Sequence, residues 1–212
     1  MLFKRFQIKK NNNFILPILP PKYFLFLGCQ TYFDVGLILR KLIKVIKDKF
    51  KGFELIYRPH PWRENFKKTF VPKGVIIDPT LSNNADRYGD LLLPNLNLYN
   101  HIISNAHIVI GGCTSMIVEV SLMKKPYLLL AHDDGNPIQN PFDYYISSEN
   151  QNLTAIINNL SVCYSLENLY YEINSLMKKD LKDDDPVLDY IIDPKYSKFS
   201  FYLNKLIEEK FL

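Results

Sequence analysis

Apolar residues along this chain alternate between two periods. Tyr23-Phe24-Leu25-Phe26-Leu27 is an unbroken apolar run closed by Gly28, the pattern of a strand buried on both faces. From Asp34, a residue suited to capping, Val35, Ile38, Leu39, Leu42 and Ile46 recur at helical spacing, with Lys41, Lys44, Lys47 and Asp48 on the opposite side. Gly52 is expected to close that helix as its C-cap. Phe53–Tyr57, Gly74–Asp78, His107–Ile110 and Tyr127–Leu130 predict four further strands. Trp62 opens a short amphipathic stretch, Ser82 to Gly89 reads as a polar loop, and Leu98–Asn105 and Met116–Met123 read as short helices. Beyond residue 150 the chain reads as helical, over Leu153–Ile157 and Leu166–Met177, then as a charged exposed loop from Lys178 to Asp185. Phe199, Leu203, Leu206 and Ile207 form a last stripe suited to a docking helix.

Strand and helix alternate, which calls for right-handed crossovers. The expected fold is α/β: a doubly wound, mostly parallel Rossmann-like sheet with helices on both faces. The expected divisions are a basic, proline-containing segment at 1–21, the Rossmann-like domain at 22–180, and an acidic loop with a docking helix at 181–212.

Composition changes this picture little. A chain that is 47% hydrophobic and 23% charged is an ordinary globular protein. Its formal charge of +4 is spread out, with Asp183, Asp184 and Asp185 answering the lysine-rich helices, so no arginine stripe suggests nucleic acid. Cys29, Cys113 and Cys163 are odd in number, lie far apart and form no CxxC pair. That argues against a disulfide framework or structural zinc and for a reducing compartment. Cys113 reads as a small residue in a tight loop rather than a nucleophile. Pro17, Pro20 and Pro21 interrupt the early apolar run, so it reads as neither signal peptide nor membrane span. With Lys4, Arg5, Lys9 and Lys10 as a solvated tail, the expected location is cytoplasmic, with at most peripheral contact at the inner face of the membrane.

The chemistry concentrates at two strand-to-loop junctions, Arg58-Pro59-His60-Pro61 and Gly111-Gly112-Cys113-Thr114-Ser115. Both fall at the carboxyl ends of apolar strands, the edge at which open α/β sheets bind ligands. Consecutive glycines let backbone N–H groups approach a phosphate, and Thr114 and Ser115 offer hydroxyls beside them; alternatively Ser115 simply caps the helix. Glu119 stands four residues after Ser115, one too many for a reciprocal capping box. It can accept ribose hydroxyls, or pair with a lysine. Arg58 and His60 flank a rigid proline turn and can neutralise a diphosphate; in the plainer alternative Arg58 pairs with a surface acid and His60 bonds a carbonyl. Gln30 and Thr31 follow the first strand where a ligand spanning the edge would meet them. His132, Asp133 and Asp134 end the fifth strand and can bind sugar hydroxyls, or a hard cation through the carboxylates; in the plainer alternative the two aspartates form a solvated turn. No P-loop lysine, GxGxxG, GxSxG, HExxH or CxxC occurs.

Over residues 23 to 135 these motifs, with Ala106-His107-Ile108-Val109-Ile110, Met116 and Lys125-Pro126, resemble the carboxyl-terminal, nucleotide-binding half of a GT-B glycosyltransferase. The likeness is to bacterial capsule and surface-polysaccharide enzymes and to CDP-glycerol glycerophosphotransferases; Asp193-Pro194 before a closing helix matches the tail of such proteins. The resemblance implies a donor site for a nucleotide sugar formed by Gly112, Thr114, Ser115 and Glu119, and Gly28, Gln30 and Gly111 at the same edge complete the candidate binding set. Arg58 and His60 would assist the diphosphate leaving group. It implies no cofactor beyond the nucleotide-activated donor and no metal. Because about twenty residues precede the first strand, a separate acceptor subunit or a homo-oligomer is expected. The alternatives are a non-catalytic nucleotide-sugar-binding module and a sugar-nucleotide 2-epimerase-like protein.

Overall fold

The computed structural model describes residues 9–11, 14–16, 19–28, 34–60, 71–79, 81–83, 92–94, 96–135, 140–147, 151, 154–155 and 157–181. Lys9–Asn11 (β1) and Phe14–Leu16 (β2) pair antiparallel ahead of the main sheet, a ladder that the basic, proline-broken sequence there did not suggest. Tyr23–Leu27 (β3) follows, with all five side chains buried. Val35–Lys49 (α1) starts at Asp34, whose carboxylate accepts the Leu37 N–H at 2.9 Å, as the sequence predicted. Val35, Ile38, Leu39, Leu42, Ile43 and Ile46 bury its inner stripe, roughly 1.5–3 kcal/mol for each large side chain. The cap residue is Phe50 rather than Gly52; its N–H donates to the Ile46 carbonyl at 2.9 Å, and Gly52 makes the next turn at φ +86°.

Glu54–Arg58 (β4) and Val75–Ile77 (β5) continue the sheet. Leu81–Asn83 (β6) pairs antiparallel with Leu92–Pro94 (β7), so the stretch read as a polar loop begins in a small hairpin. Leu96–Ser104 (α2), Ile108–Gly111 (β8), Met116–Leu122 (α3) and Tyr127–Leu130 (β9) follow. Pro141–Ser147 (α4) leads towards Leu160–Cys163 (β10), and a single 3₁₀ turn at Leu166–Asn168 into Leu169–Lys178 (α5). β10 adds a strand between the two stretches that the sequence predicts as helical beyond residue 150. It is four residues long and is held by parallel pairing with β9, from Leu160 against Tyr127 to Cys163 against Leu130.

The main sheet is six-stranded and wholly parallel, in the order β10-β9-β8-β3-β4-β5. One face packs against α1 and α5, the other against α2, α3 and α4. Lys41 and Glu167 form an ion pair on the outer surface of the first layer. Chain order runs outward from β3 to β5 on one side and from β8 to β10 on the other, so winding reverses between β3 and β8. This is the doubly wound Rossmann-like arrangement, and in such sheets ligands bind where the winding reverses, here at the carboxyl ends of those two strands. Among the described residues no helix is long and apolar enough to cross a membrane.

Candidate functional site

Three neighbouring strands, β8, β3 and β4, bring both predicted junctions to the same edge, on either side of Gly28. Two strand spacings separate the outer pair, about 10 Å, within the span of a nucleotide sugar. The Gly28 N–H donates to the Arg58 carbonyl at 2.8 Å. A side chain at Gly28 would meet the Tyr57 ring and hydroxyl at 3.0 Å and the Arg58 carbonyl at 3.3 Å, so it would fit only if Tyr57 gave way by a few tenths of an ångström. Gln30 and Thr31 lie outside the described residues.

Arg58 ends β4 with its guanidinium turned to Asp78, which sits just past β5. Nη1 donates to Oδ2 at 2.8 Å, with side-chain exposures of 9% and 0%. The Asp78 N–H in turn donates to the Tyr57 carbonyl at 2.8 Å. Pairing with an acid was one of the two sequence readings for Arg58, but the partner is buried rather than on the surface. The pair locks the ends of β4 and β5 together at the same sheet edge. His60 lies half-buried in the turn beyond.

On the other side, Gly111 is the last residue of β8 rather than the first of a loop. The Tyr127 hydroxyl donates to the Gly112 carbonyl at 2.8 Å. Ser115 occupies the cap position of α3 in helical conformation and makes no side-chain capping bond, so the purely capping alternative does not describe it. The Ile117 and Val118 N–H groups reach back to the Thr114 and Ser115 carbonyls at 3.1 Å, which winds the first turn tightly. Thr114 and Glu119 are half-buried and Ser115 is exposed at the start of this short helix. Cys113 is buried in the α2–α3 layer, in keeping with a packing role.

Two further groups stand at this edge. Asp78 was seen only as the end of a strand; an acid at the end of the strand next to Arg58 was the available signal. His132 is 2% exposed just past β9. Burial lowers its pKa, against an opposing pull from Asp134 and Asp133. The turn reading does hold for Asp133, whose carboxylate accepts the Gly135 N–H at 2.8 Å, with Gly135 at φ +76°.

No family model matches the sequence and no curated protein matches it. Solved structures do match the fold. The wall teichoic acid polymerase TagF aligns with a TM-score of 0.52 at 14% identity, covering 92% of this chain and 44% of its own. The UDP-GlcNAc 2-epimerase of Methanocaldococcus jannaschii aligns at 0.51 and 14% identity, covering 80% and 43%. The calicheamicin glycosyltransferase CalG4 aligns at 0.51 and 9% identity, covering 78% and 36%. The fold is therefore a Rossmann-like half of the GT-B type. The chain spans less than half the length of each of these structures.

Proposed function

We propose that this chain is the donor-binding half of a glycosyltransferase or polyol-phosphate transferase, holding a nucleotide-activated sugar across the β3–β8 edge. The observation that carries the reading is the placement of Gly112, Thr114, Ser115 and Glu119 at the point where the winding reverses, opposite Gly28. In this reading the glycine turn and the two hydroxyls meet the diphosphate, while Glu119 accepts the ribose hydroxyls. Arg58 and His60 oppose the charge that builds on the diphosphate as the sugar bond breaks. An acceptor hydroxyl gives up its proton to a base or to water and attacks the anomeric carbon of a sugar donor, whose bond to the nucleoside diphosphate breaks, or the distal phosphorus of a polyol-phosphate donor, whose bridging P–O bond breaks to release the nucleoside monophosphate. That acceptor comes from a second unit, in the same polypeptide or another. The likeness to a wall teichoic acid polymerase supports a surface-polymer acceptor.

Likeness to a UDP-GlcNAc 2-epimerase favours a second reading, in which the sugar is altered on its nucleotide and no acceptor is needed. Thermal unfolding with UDP, CDP, CMP, GDP, ADP and NAD tests the shared premise. A ligand at a hundred times its Kd adds about 2.7 kcal/mol, a rise of about 5–10 °C for a chain of this size. Glu119→Ala is expected to abolish the rise. No shift with any of the six nucleotides would refute both readings, and an epimerised sugar formed without acceptor would select the second.

A further inference from the structure

Tyr127 opens β9 and is 1% exposed. Its own N–H donates to the Asn159 carbonyl at 2.9 Å, fixing its backbone from the β10 side. From there the ring reaches under the neighbouring strand. A methyl group at Gly111 would overlap the Tyr127 hydroxyl, and would stand 3.3 Å from both Tyr127 Cζ and Leu27 Cβ. The hydroxyl thus fills the space that Gly111 leaves, and its hydrogen bond lands one residue further on, at the Gly112 carbonyl, 2.8 Å away. A trans peptide is planar, with its C=O and N–H directed oppositely. Turning the Gly112 carbonyl toward Tyr127 therefore turns the next N–H, that of Cys113, away from it.

We propose that Tyr127 is a positioning residue for the glycine turn: its hydroxyl sets the orientation of the Gly112–Cys113 peptide, and with it the face that the turn offers to a nucleotide phosphate. The inference rests on the donor-site reading for its consequence in binding, but not for its consequence in the protein itself. Gly111 and Tyr127 then form one device. The glycine gives the hydroxyl room, and the hydroxyl holds the turn.

The test uses the full chain as wild type, Tyr127→Phe, Gly111→Ala and the Gly111→Ala/Tyr127→Phe double variant. Amide hydrogen exchange across residues 111–115 reads the turn directly, with exchange in β3 and β4 as the internal control. Tyr127→Phe is expected to speed exchange in the turn while leaving those strands unchanged. It is also expected to weaken, by about five- to tenfold, the nucleoside diphosphate bound by the wild type, the equivalent of one hydrogen bond. Gly111→Ala is expected to lower the melting temperature, and Tyr127→Phe added to it to recover part of the loss, because the overlapping atom is gone. Unchanged exchange in the turn, loosening spread evenly over the sheet, or a double variant no more stable than Gly111→Ala would each overturn the proposal. If the wild type binds none of the nucleoside diphosphates, the donor-site reading fails, and exchange and rescue still decide the role of Tyr127.

Discussion

Replacing Asp78 with asparagine removes the countercharge of Arg58 while keeping the shape of the side chain. Both partners are almost wholly removed from water, and they meet at 2.8 Å. Breaking such a pair by neutralising one member leaves a buried, uncompensated charge, which destabilises by about 3–5 kcal/mol. The amide oxygen of asparagine can still accept from Nη1, so the lower end, about 3 kcal/mol, is expected. For a chain of this length that is a fall in Tm of about 6–12 °C. Urea unfolding at pH 7, followed by circular dichroism, measures the loss, and it should change little with salt because a buried pair is poorly screened. Arg58→Met with Asp78→Leu should restore most of the stability, since a buried ion pair contributes little net over apolar groups of similar volume. Under the donor-site reading that stable double variant should also bind the nucleotide more weakly. A loss below about 1 kcal/mol in Asp78→Asn would refute the argument. So would a double variant no more stable than the single one.

Two further predictions concern titration. Burial pushes the Cys163 thiol from the ordinary 9.0 up to about 11, so below pH 9 the thiol is protonated in both folded and unfolded chains. Its stabilising contribution should be lost as pH rises from 9 through 11, by up to about 2–3 kcal/mol, and Cys163→Ala should flatten that limb in denaturant titrations. Burial holds the His132 imidazole below its usual 6.5, so the unfolded chain takes up the proton first. The contribution of His132 is present above pH 6.5 and lost as pH falls, and His132→Gln should make stability less steep between pH 6.5 and 5 than in wild type.

Much of the fold was legible in the sequence because local patterns report what each segment must bury. Tyr23–Leu27, Ile108–Ile110 and Tyr127–Leu130 have no polar face and could lie only in the middle of a covered sheet. The stripe from Val35 to Ile46 required one buried helix face, and the Asp34 carboxylate caps that helix. β10 was missed because Leu160–Cys163 is short and has no decisive period. It becomes a strand by pairing with β9, and a segment cannot announce a partner that lies elsewhere in the chain. The β6–β7 hairpin was missed for the same reason.

The candidate site divides along the same line. By itself the sequence determined that glycines, hydroxyls, a carboxylate, an arginine and a histidine stand at the carboxyl ends of apolar strands, because that follows from runs and breaks in hydrophobicity. Only the tertiary structure decided that β8 lies beside β3, about eighty residues apart in the chain, so that the Gly28 and Gly111 junctions stand side by side at one sheet edge. It also decided that Arg58 is held by Asp78 and that Gly111 is glycine to admit the Tyr127 hydroxyl. Those choices belong to strand order and to close packing between strands, which bring together side chains whose separation along the chain carries no periodic signal.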